Sequence, residues 1–253
     1  MTQPLHASAI AAPHGFFTRQ GGVSGGPFAS LNCSLSGQDD RAHVLENRAR
    51  AARALDADPV RLAGLTQVHG TAVVQVTDVW PAGAGPKADA MVTDRAGVAL
   101  GIVTADCAPV LFAHAASGVV GAAHAGWRGA LAGVIEATLA AMQDLGADPD
   151  GVAACIGPCI GQESYEVAAD LRDAVLARNP LDARFFAQGR RTARWQFDLK
   201  GYCAERLRQA GVGQIEVLAD DTLADDGRFF SHRRRTLSGG GPIGHQISVI
   251  VAR

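Results

Sequence analysis

Residues 108–127, APVLFAHAASGVVGAAHAGW, contain two apolar runs on either side of a turn-like AASG at 115–118. This pattern predicts a β-hairpin. Closing the hairpin at that turn places Pro109 opposite His124. Cys107 and His124 then lie at the open end of the hairpin, roughly 7 Å apart along the backbone. The sequence therefore predicts a thiol and an imidazole at one rim of a sheet.

A thiolate and an imidazole at one rim make half of a zinc site, because catalytic zinc takes three protein ligands and keeps one position open. His69, in the segment TQVHGT, is the candidate third ligand, since it also precedes a glycine at the edge of a strand-like segment. Taken alone, each of these side chains is more often an ordinary packed residue than a metal ligand. Together they predict a zinc site at His69, Cys107 and His124, with copper as the alternative metal.

Two glycine-containing segments are suited to binding an anion. The segment GWRG places backbone amides and Arg128 at an expected helix start, where phosphate binds well. The segment TRQGGVSGG at 18–26 frees the backbone around Gly21 and Gly22 to approach a ligand, and its Arg19 is able to pair with phosphate or carboxylate. The alternatives are a solvated surface arginine and a structural turn.

The composition excludes several classes of partner. The chain has 253 residues, 47% of them hydrophobic, and 23 basic against 25 acidic side chains, which provides no broad positive field for nucleic acid or an anionic membrane. No apolar stretch is long enough to cross a bilayer, and the N-terminal segment lacks the basic region of a secretory signal. Five scattered cysteines, an odd number, favour reduced thiols and a cytoplasmic location. A small molecule or another protein is the expected partner.

Apolar periodicity predicts helices and strands in irregular alternation. The expected helices span 39–58, 131–145, 165–178 and 199–210. The expected strands span 71–78, 89–93, 98–104, 109–114, 119–123, 152–156, 214–218 and 246–251. Because these elements follow no regular βαβ period, we expect an α+β (mixed α/β) fold with mixed β-sheets flanked by helices, in a single domain over 1–253. The basic run SHRRR at 231–235 is typical of a solvated face, or alternatively forms the wall of a pocket.

Seven blocks of sequence, in this order, resemble the peptidoglycan editing factor family, also called the laccase-domain or polyphenol oxidoreductase family: TRQGGVSGGPFASLN, QVHG, ADAMVT, TADCAPVL, AAHAGWRG, ACIGPCIGQESYEV and FFSHRR. The resemblance extends from about residue 14 to the C-terminus. It implies a single-domain laccase-domain fold, similar to that of cytotoxic necrotising factor, and a His-Cys-His metal site that maps onto His69, Cys107 and His124. Family members are described as purine nucleoside phosphorylases acting on adenosine, inosine and methylthioadenosine, with adenosine deaminase activity, so the implied small molecules are a nucleoside and phosphate. Older family names imply copper-dependent phenol oxidation, and the resemblance also implies a role in keeping peptidoglycan precursors correct.

The expected site residues fall into two groups. The catalytic group comprises His69, Asp106, Cys107 and His124. The substrate- and phosphate-binding group comprises Arg19, Gly21, Gly22, Gln67, Arg128, Cys159, Tyr165 and Glu166. The chain departs from the common family pattern at two places, where Asp221-Thr222 replaces a frequent Cys-Thr pair and Gly244-His245 replaces a usual Gly-Arg pair.

Several mechanisms are compatible with these residues. A zinc-activated water would attack C6 of adenine, with Asp106 or Glu166 as the proton carrier, whereas phosphorolysis needs a phosphate held by Arg19 or Arg128. A cysteine hydrolase acting on an amide of a cell-wall precursor would use Cys107 as nucleophile and His124 as base. A multicopper oxidase is disfavoured, because the chain has eight histidines and no His-x-His pair. A non-catalytic binding module is the remaining alternative.

Overall fold

The hairpin is the centre of the fold in the computed structural model, which describes residues 2–253. Its strands run over Ala108–His114 and Val120–Ala125 and pair antiparallel, with Pro109 opposite His124. The register predicted from the turn is therefore confirmed. It places Cys107 immediately before the first strand and His124 near the end of the second, at the same rim of the sheet.

In chain order the strands are β1 (His14–Phe16), β2 (Leu62–Gly64), β3 (Val73–Gln75), β4 (Ala90–Thr93), β5 (Ala99–Thr104), β6 (Ala108–His114), β7 (Val120–Ala125), β8 (Val152–Ile156), β9 (Glu166–Val167), β10 (Phe186–Gln188), β11 (Trp195–Phe197), β12 (Gln214–Val217) and β13 (Gln246–Val251). The α-helices are α1 (Arg41–Arg53), α2 (Trp127–Ala132), α3 (Val134–Gln143), α4 (Ala169–Arg178), α5 (Leu199–Gln209) and α6 (His232–Leu237). Short 3₁₀ helices span Gly26–Phe28, Pro59–Arg61, Pro149–Gly151, Gln162–Ser164 and Pro180–Phe185.

The strands form three sheets. The largest has six strands in the order β12-β8-β6-β7-β4-β3, antiparallel at its centre and parallel at both edges. A four-stranded sheet has the order β1-β13-β5-β2, and a small third sheet has the order β10-β11-β9. The expected α+β fold with mixed sheets is thus confirmed.

Burial on both faces explains why β6 is apolar from Ala108 to Ala113. Val110 and Phe112 pack in the cluster that contains α3 and α5, whereas Leu111 belongs to the cluster between the six-stranded and four-stranded sheets. A third cluster joins the other face of the four-stranded sheet to Ala51 and Ala52 of α1. The layers are therefore helix, sheet, sheet, helix, and the hydrophobic burial is continuous through them.

Most of the long elements lie where periodicity predicts them, and the differences have local causes. The expected helix at 131–145 is broken at Gly133, whose φ of 107° lies in the left-handed region and separates α2 from α3. The expected helix at 165–178 begins only at Ala169, because the residues before it form β9. The predictions missed β1, β2, the third sheet and α6, since strands of two or three residues and a helix of fewer than two turns carry too little periodicity. No helix within residues 2–253 is both long enough and apolar enough to span a bilayer.

Candidate metal centre

Three elements bring the predicted metal ligands together. His69 lies in the loop after β2, Cys107 directly precedes β6, and His124 lies on β7. One ligand atom from each side chain lies within 4.8 Å of the other two, and Cys107 Sγ is 3.8 Å from His69 Nε2. His124 is buried, Cys107 is partly exposed and His69 is exposed. The cluster consequently opens towards solvent on one side.

A buried carboxylate holds two of these ligands in place. Asp89 is fully buried, and its Oδ1 lies 2.8 Å from Nδ1 of His124. The same carboxylate accepts hydrogen bonds from the backbone amides of Val68, His69 and Gly70. Those bonds stabilise the turn in which His69 adopts a φ of 62°, a left-handed conformation that is unfavourable for a residue with a Cβ. Asp89 therefore orients one ligand through its side chain and another through its backbone.

The charges of Cys107 and His124 stabilise each other. Burial opposes ionisation of the thiol, but the adjacent His124 and hydrogen bonding to both imidazoles lower the pKa of Cys107 to about 6. Burial likewise opposes protonation of His124, yet the Cys107 thiolate and the Asp89 carboxylate raise its pKa to about 9. Burial acts to raise the pKa of Asp89. Hydrogen bonds from His124 and from the amides of the turn outweigh burial, so the pKa of Asp89 is lowered. Without a metal the site thus favours a thiolate beside an imidazolium.

The donor set fits a catalytic zinc ion. Two imidazole nitrogens and one thiolate sulfur are typical zinc ligands, and around one ion they would lie about 3.3–3.8 Å apart. The observed separations require only small side-chain movements to reach that range. Asp89 completes the arrangement, because a carboxylate on the second nitrogen of a ligating histidine fixes its tautomer and orientation. Copper is compatible with the same donors.

Gly126 leaves room for the cluster. A Cβ at this position would lie 3.0 Å from both Cys107 Sγ and His69 Cδ2. The residue is also the N-cap of α2, with an ordinary extended backbone. Its lack of a side chain therefore permits the thiol and the imidazole to approach one another, which is one reason for the small residues around His124.

The cluster forms part of the wall of a cleft of about 720 Å³. This volume is in the range of small-molecule sites. Among residues 2–253, the arginines of the lining are Arg41, Arg48, Arg128 and Arg233, whereas Asp106 is the one acidic residue. The cleft is thus electropositive although the chain as a whole carries a formal net charge of −2.

The sequence matches a family model described as "Multi-copper polyphenol oxidoreductase laccase" over residues 13–253. The chain belongs to this family.

Relatives and solved structures agree with this assignment. "Purine nucleoside phosphorylase" of Deinococcus radiodurans is 42% identical over 244 residues, covering 92% of this chain and 90% of the relative. "Purine nucleoside phosphorylase YfiH" of Escherichia coli is 38% identical over 224 residues, covering 88% of both chains. The crystal structure of YlmD from Geobacillus stearothermophilus superposes with a TM-score of 0.91 at 34% identity, covering 100% of this chain and 96% of that one. Neisseria meningitidis protein NMB0706 gives a TM-score of 0.87 at 34% identity, covering 99% and 98%.

Besides the three predicted metal ligands, four of the expected site residues line the cleft. Gln67 uses its side-chain amide to bond both the N–H and the C=O of Val103, so it anchors the loop before His69 to β5. Arg128 stacks on the Trp127 ring, with its guanidinium carbon 4.4 Å from the ring centroid. Tyr165 lies under Arg233, and burial raises the pKa of its phenol. The fourth residue is Asp106.

Asp106 has a different environment from the one expected of a proton carrier. Its Oδ1 accepts the hydroxyl hydrogen of Thr222 at 2.7 Å, and its Oδ2 accepts the backbone N–H of Arg233 at 2.7 Å. The carboxylate consequently ties the start of β6 to the first turn of α6. Thr222, which the Asp221-Thr222 pair shares with the frequent Cys-Thr pair, is the partner that keeps it there.

The structure does not bring five of the expected substrate residues into the cleft. Arg19 donates to the carbonyl oxygens of Ala29 and Asp226 and stacks on Phe230, so its guanidinium holds loops together. Gly21 and Gly22 are packed against neighbouring backbone, where a Cβ on Gly22 would lie 2.0 Å from the Ser30 carbonyl oxygen.

The other two residues are also occupied elsewhere. Cys159 is fully buried in the helix-side core, where burial raises the pKa of its thiol to about 12. Glu166 lines a second, smaller groove and accepts hydrogen bonds from the backbone amides of Arg190 and Arg191. None of these five residues lines the cleft, and their roles in substrate binding stay predictions.

Three residues that shape the site, Asp89, His245 and Arg48, were not among the expected site residues. Asp89 was visible only as an acidic residue at the start of an apolar strand, which is an unusual place for a charge unless it has partners. His232 and Arg233, from the SHRRR run, do form a wall of the cleft, as the alternative interpretation proposed. His245 lines the cleft as well, and burial lowers its pKa to about 4. Arg48 gave no signal, because it lies within an ordinary amphipathic helix.

Proposed function

We propose that this protein is a metal-dependent purine nucleoside phosphorylase, with adenosine deamination as a second reaction of the same centre. The observation that carries the proposal is a His-Cys-His cluster that opens into an electropositive cleft. Relatives that are about 40% identical and bear the name purine nucleoside phosphorylase support it. Adenosine, inosine and methylthioadenosine are the proposed substrates.

The residues around the metal would hold a phosphate and a purine nucleoside. Arg128 lies at the start of α2 and is stacked on Trp127, and Arg233 lies over Tyr165 and donates to the Glu166 carbonyl oxygen. These two guanidinium groups provide positive charge for a phosphate that attacks C1′ of the ribose. Trp127 and Tyr165 offer aromatic surfaces for the base.

Zinc held by His69, Cys107 and His124 would supply Lewis acidity. Asp89 keeps His124 in the tautomer that presents its other ring nitrogen to the cluster. Because both oxygens of Asp106 already accept hydrogen bonds, we assign proton transfer in deamination to an imidazole of the cleft lining. His232 is the candidate group, because it lines the cleft and, within residues 2–253, only its Nε2 has a side-chain partner, Nη2 of Arg235.

Release of the base from nucleosides tests this function. Purified, zinc-loaded protein is incubated with inosine or adenosine, with and without phosphate, and hypoxanthine, adenine and inosine are separated by chromatography. Phosphate-dependent release of base is expected, together with inosine from adenosine. Cys107→Ala should abolish both reactions and lower bound zinc. Cys155→Ala, at a buried thiol of β8 outside the cleft, is the matched control. If metallated protein releases neither base nor inosine, the proposal is rejected.

A cysteine hydrolase is the second candidate, and it is favoured by one observation. The lowered pKa of Cys107, about 6, and the raised pKa of His124, about 9, describe a thiolate–imidazolium pair suited to nucleophilic attack on an amide. Alkylation distinguishes the two functions. Metal-free protein that stays active and is inactivated by an alkylating reagent at Cys107 would support the hydrolase, acting on a peptidoglycan precursor.

Copper-dependent phenol oxidation has weaker support. Within residues 2–253 the His69, Cys107 and His124 cluster is the one group of three or more ligands close enough to hold a metal. Multicopper oxidation requires several copper ions with many histidine ligands. Phenol oxidation by copper-loaded protein, compared with the zinc-loaded form, would test this alternative directly.

A further inference from the structure

Arg48 belongs to α1 and lines the end of the cleft that this helix forms. Its surroundings are unusual for a guanidinium. The residue is 6% exposed. Its Nη1 donates to the Cys33 carbonyl oxygen at 3.2 Å, and its Nη2 lies against Gly64, where a Cβ would be only 2.7 Å away. Glycine at position 64 therefore allows the guanidinium to reach the cleft wall, which it lines.

The charge of Arg48 has no counterion in the protein. Among residues 2–253 no carboxylate lies within ion-pair distance of it, and its Nε and Nη2 donate no hydrogen bond. The other arginines of α1 are exposed at the surface or paired, as Arg50 and Arg53 are with Glu46. A buried, unpaired cation with free donors is unfavourable in the folded protein. An anionic ligand in the cleft would remove that cost.

The surroundings of Arg48 provide further donors. Arg41 lies about two turns before Arg48 on α1 and lines the same cavity. The hydroxyl groups of Ser34 and Ser36 line it as well. His245 is adjacent to Cys33, since its carbonyl oxygen accepts the Cys33 amide hydrogen at 3.0 Å. Within residues 2–253, the buried Nδ1 of His245 has no hydrogen-bond partner. The acidic residue of the lining, Asp106, is already bonded to Thr222 and Arg233.

We propose that Arg48, with Arg41 and His245, forms a second anion subsite that binds a phosphate group. This goes beyond the proposed function, which requires one phosphate beside the metal. Gly64, in contact with Arg48, is five residues from the ligand His69, so the chain between them spans at most about 18 Å. Arg48 and His69 line the same cleft of about 720 Å³, so one elongated ligand can contact both. The phosphate is either free inorganic phosphate or an ester on the substrate, as in a nucleoside 5′-monophosphate.

Binding to the full-length, zinc-loaded protein tests the subsite without requiring turnover. Titration calorimetry with inorganic phosphate, inosine and inosine 5′-monophosphate compares the wild type with Arg48→Met, which keeps an apolar stem. Loss of charged hydrogen bonds should weaken phosphate binding about 10- to 100-fold. If Arg48→Met weakens binding of inosine 5′-monophosphate and leaves that of inosine unchanged, the bound phosphate is an ester on the substrate. If Arg48→Met weakens binding of inorganic phosphate, the ligand is the free ion. Arg53→Met, on the same helix but outside the cleft, should bind all three like the wild type.

A second variant protects the test against misfolding of Arg48→Met. In Gly64→Ala the new Cβ would displace Nη2 of Arg48 while the charge is retained, so phosphate binding should weaken several-fold with an unchanged circular dichroism spectrum. Arg48→Lys should recover part of the affinity. Wild-type affinity in Arg48→Met or in Gly64→Ala, or no binding of either phosphate compound by the wild type, would overturn the subsite. A subsite that binds phosphate in a protein that does not cleave nucleosides would reject only the phosphorylase function.

Discussion

Asp89 lies 2.8 Å from Nδ1 of His124, and the same carboxylate accepts the backbone N–H of His69 at 2.9 Å. One buried side chain thus fixes two members of the metal cluster, although it is not itself one of the three ligands. We infer that metal affinity depends on Asp89 nearly as much as on the ligands.

Asp89→Asn should therefore weaken zinc binding about 10- to 100-fold, as is typical when a partner of a ligating histidine is lost. Both oxygens of the carboxylate accept hydrogen bonds, whereas the asparagine amide has only one oxygen that can accept them. The turn at 68–70 therefore loses part of its support. Competition with a chromogenic chelator measures the affinity. Asp94→Asn, at an exposed carboxylate just after β4, is the control, and equal affinities in the two variants would contradict the role of Asp89.

Gly126→Ala should weaken zinc binding by steric crowding. The added Cβ would lie 3.0 Å from Cys107 Sγ and from His69 Cδ2, so both ligands must move apart. Its extended backbone accommodates alanine, and the thermal unfolding midpoint of the metal-free protein should change little. Gly25→Ala, where the added atom meets no neighbour within 4 Å, is the matched control. A Gly126→Ala protein with wild-type zinc affinity would show that the cluster has spare room.

The hairpin and the three ligands could be predicted from the sequence because their signals are local. Two apolar runs around AASG fix one register, and that register alone places Cys107 beside His124. His69 was identified by its glycine neighbour and by the family resemblance. The predicted position of each ligand required no knowledge of the remaining sheets.

The rest of the site could not be predicted, because it depends on contacts between distant segments. Arg48 reaches the cleft through α1, and Asp106 is bonded to Thr222, 116 positions away. Arg19 was expected to bind phosphate because of the glycines beside it, but the fold directs its guanidinium to the carbonyl oxygens of Ala29 and Asp226. Residue type and neighbours do not determine which surface a loop covers.

Phe112→Ala should strongly destabilise the fold. The ring is fully buried where β6 packs against the helix layer, and such a truncation costs about 3–5 kcal/mol in the free energy of unfolding. Urea denaturation followed by circular dichroism measures this loss. Leu237→Ala, at a side chain that is 71% exposed, should change the same free energy by less than about 0.5 kcal/mol. Similar losses in both variants would refute the assignment of β6 to the core.

His14 should make the stability of the fold depend on pH. The ring is buried, its Nε2 accepts the backbone N–H of Ala7 at 2.8 Å, and its Nδ1 lies 2.8 Å from the Ala12 carbonyl oxygen. Burial lowers the pKa of His14 from its usual 6.5, which the smaller effect of the bond to Ala12 does not reverse. The folded protein therefore keeps this ring neutral at a pH where the unfolded chain is already protonated.

The contribution of His14 should be fully present above pH 6.5 and should decline as the pH falls below that value towards the folded-state pKa. The decline has a limiting slope of about 1.4 kcal/mol per pH unit. Free energies of unfolding of the wild type and of His14→Gln, both stripped of metal, are compared between pH 7.5 and 5. The wild type should lose stability more steeply, because His14→Gln removes the group that is protonated in the unfolded chain but neutral in the folded protein. Parallel curves would mean that His14 is protonated equally in the folded and unfolded states.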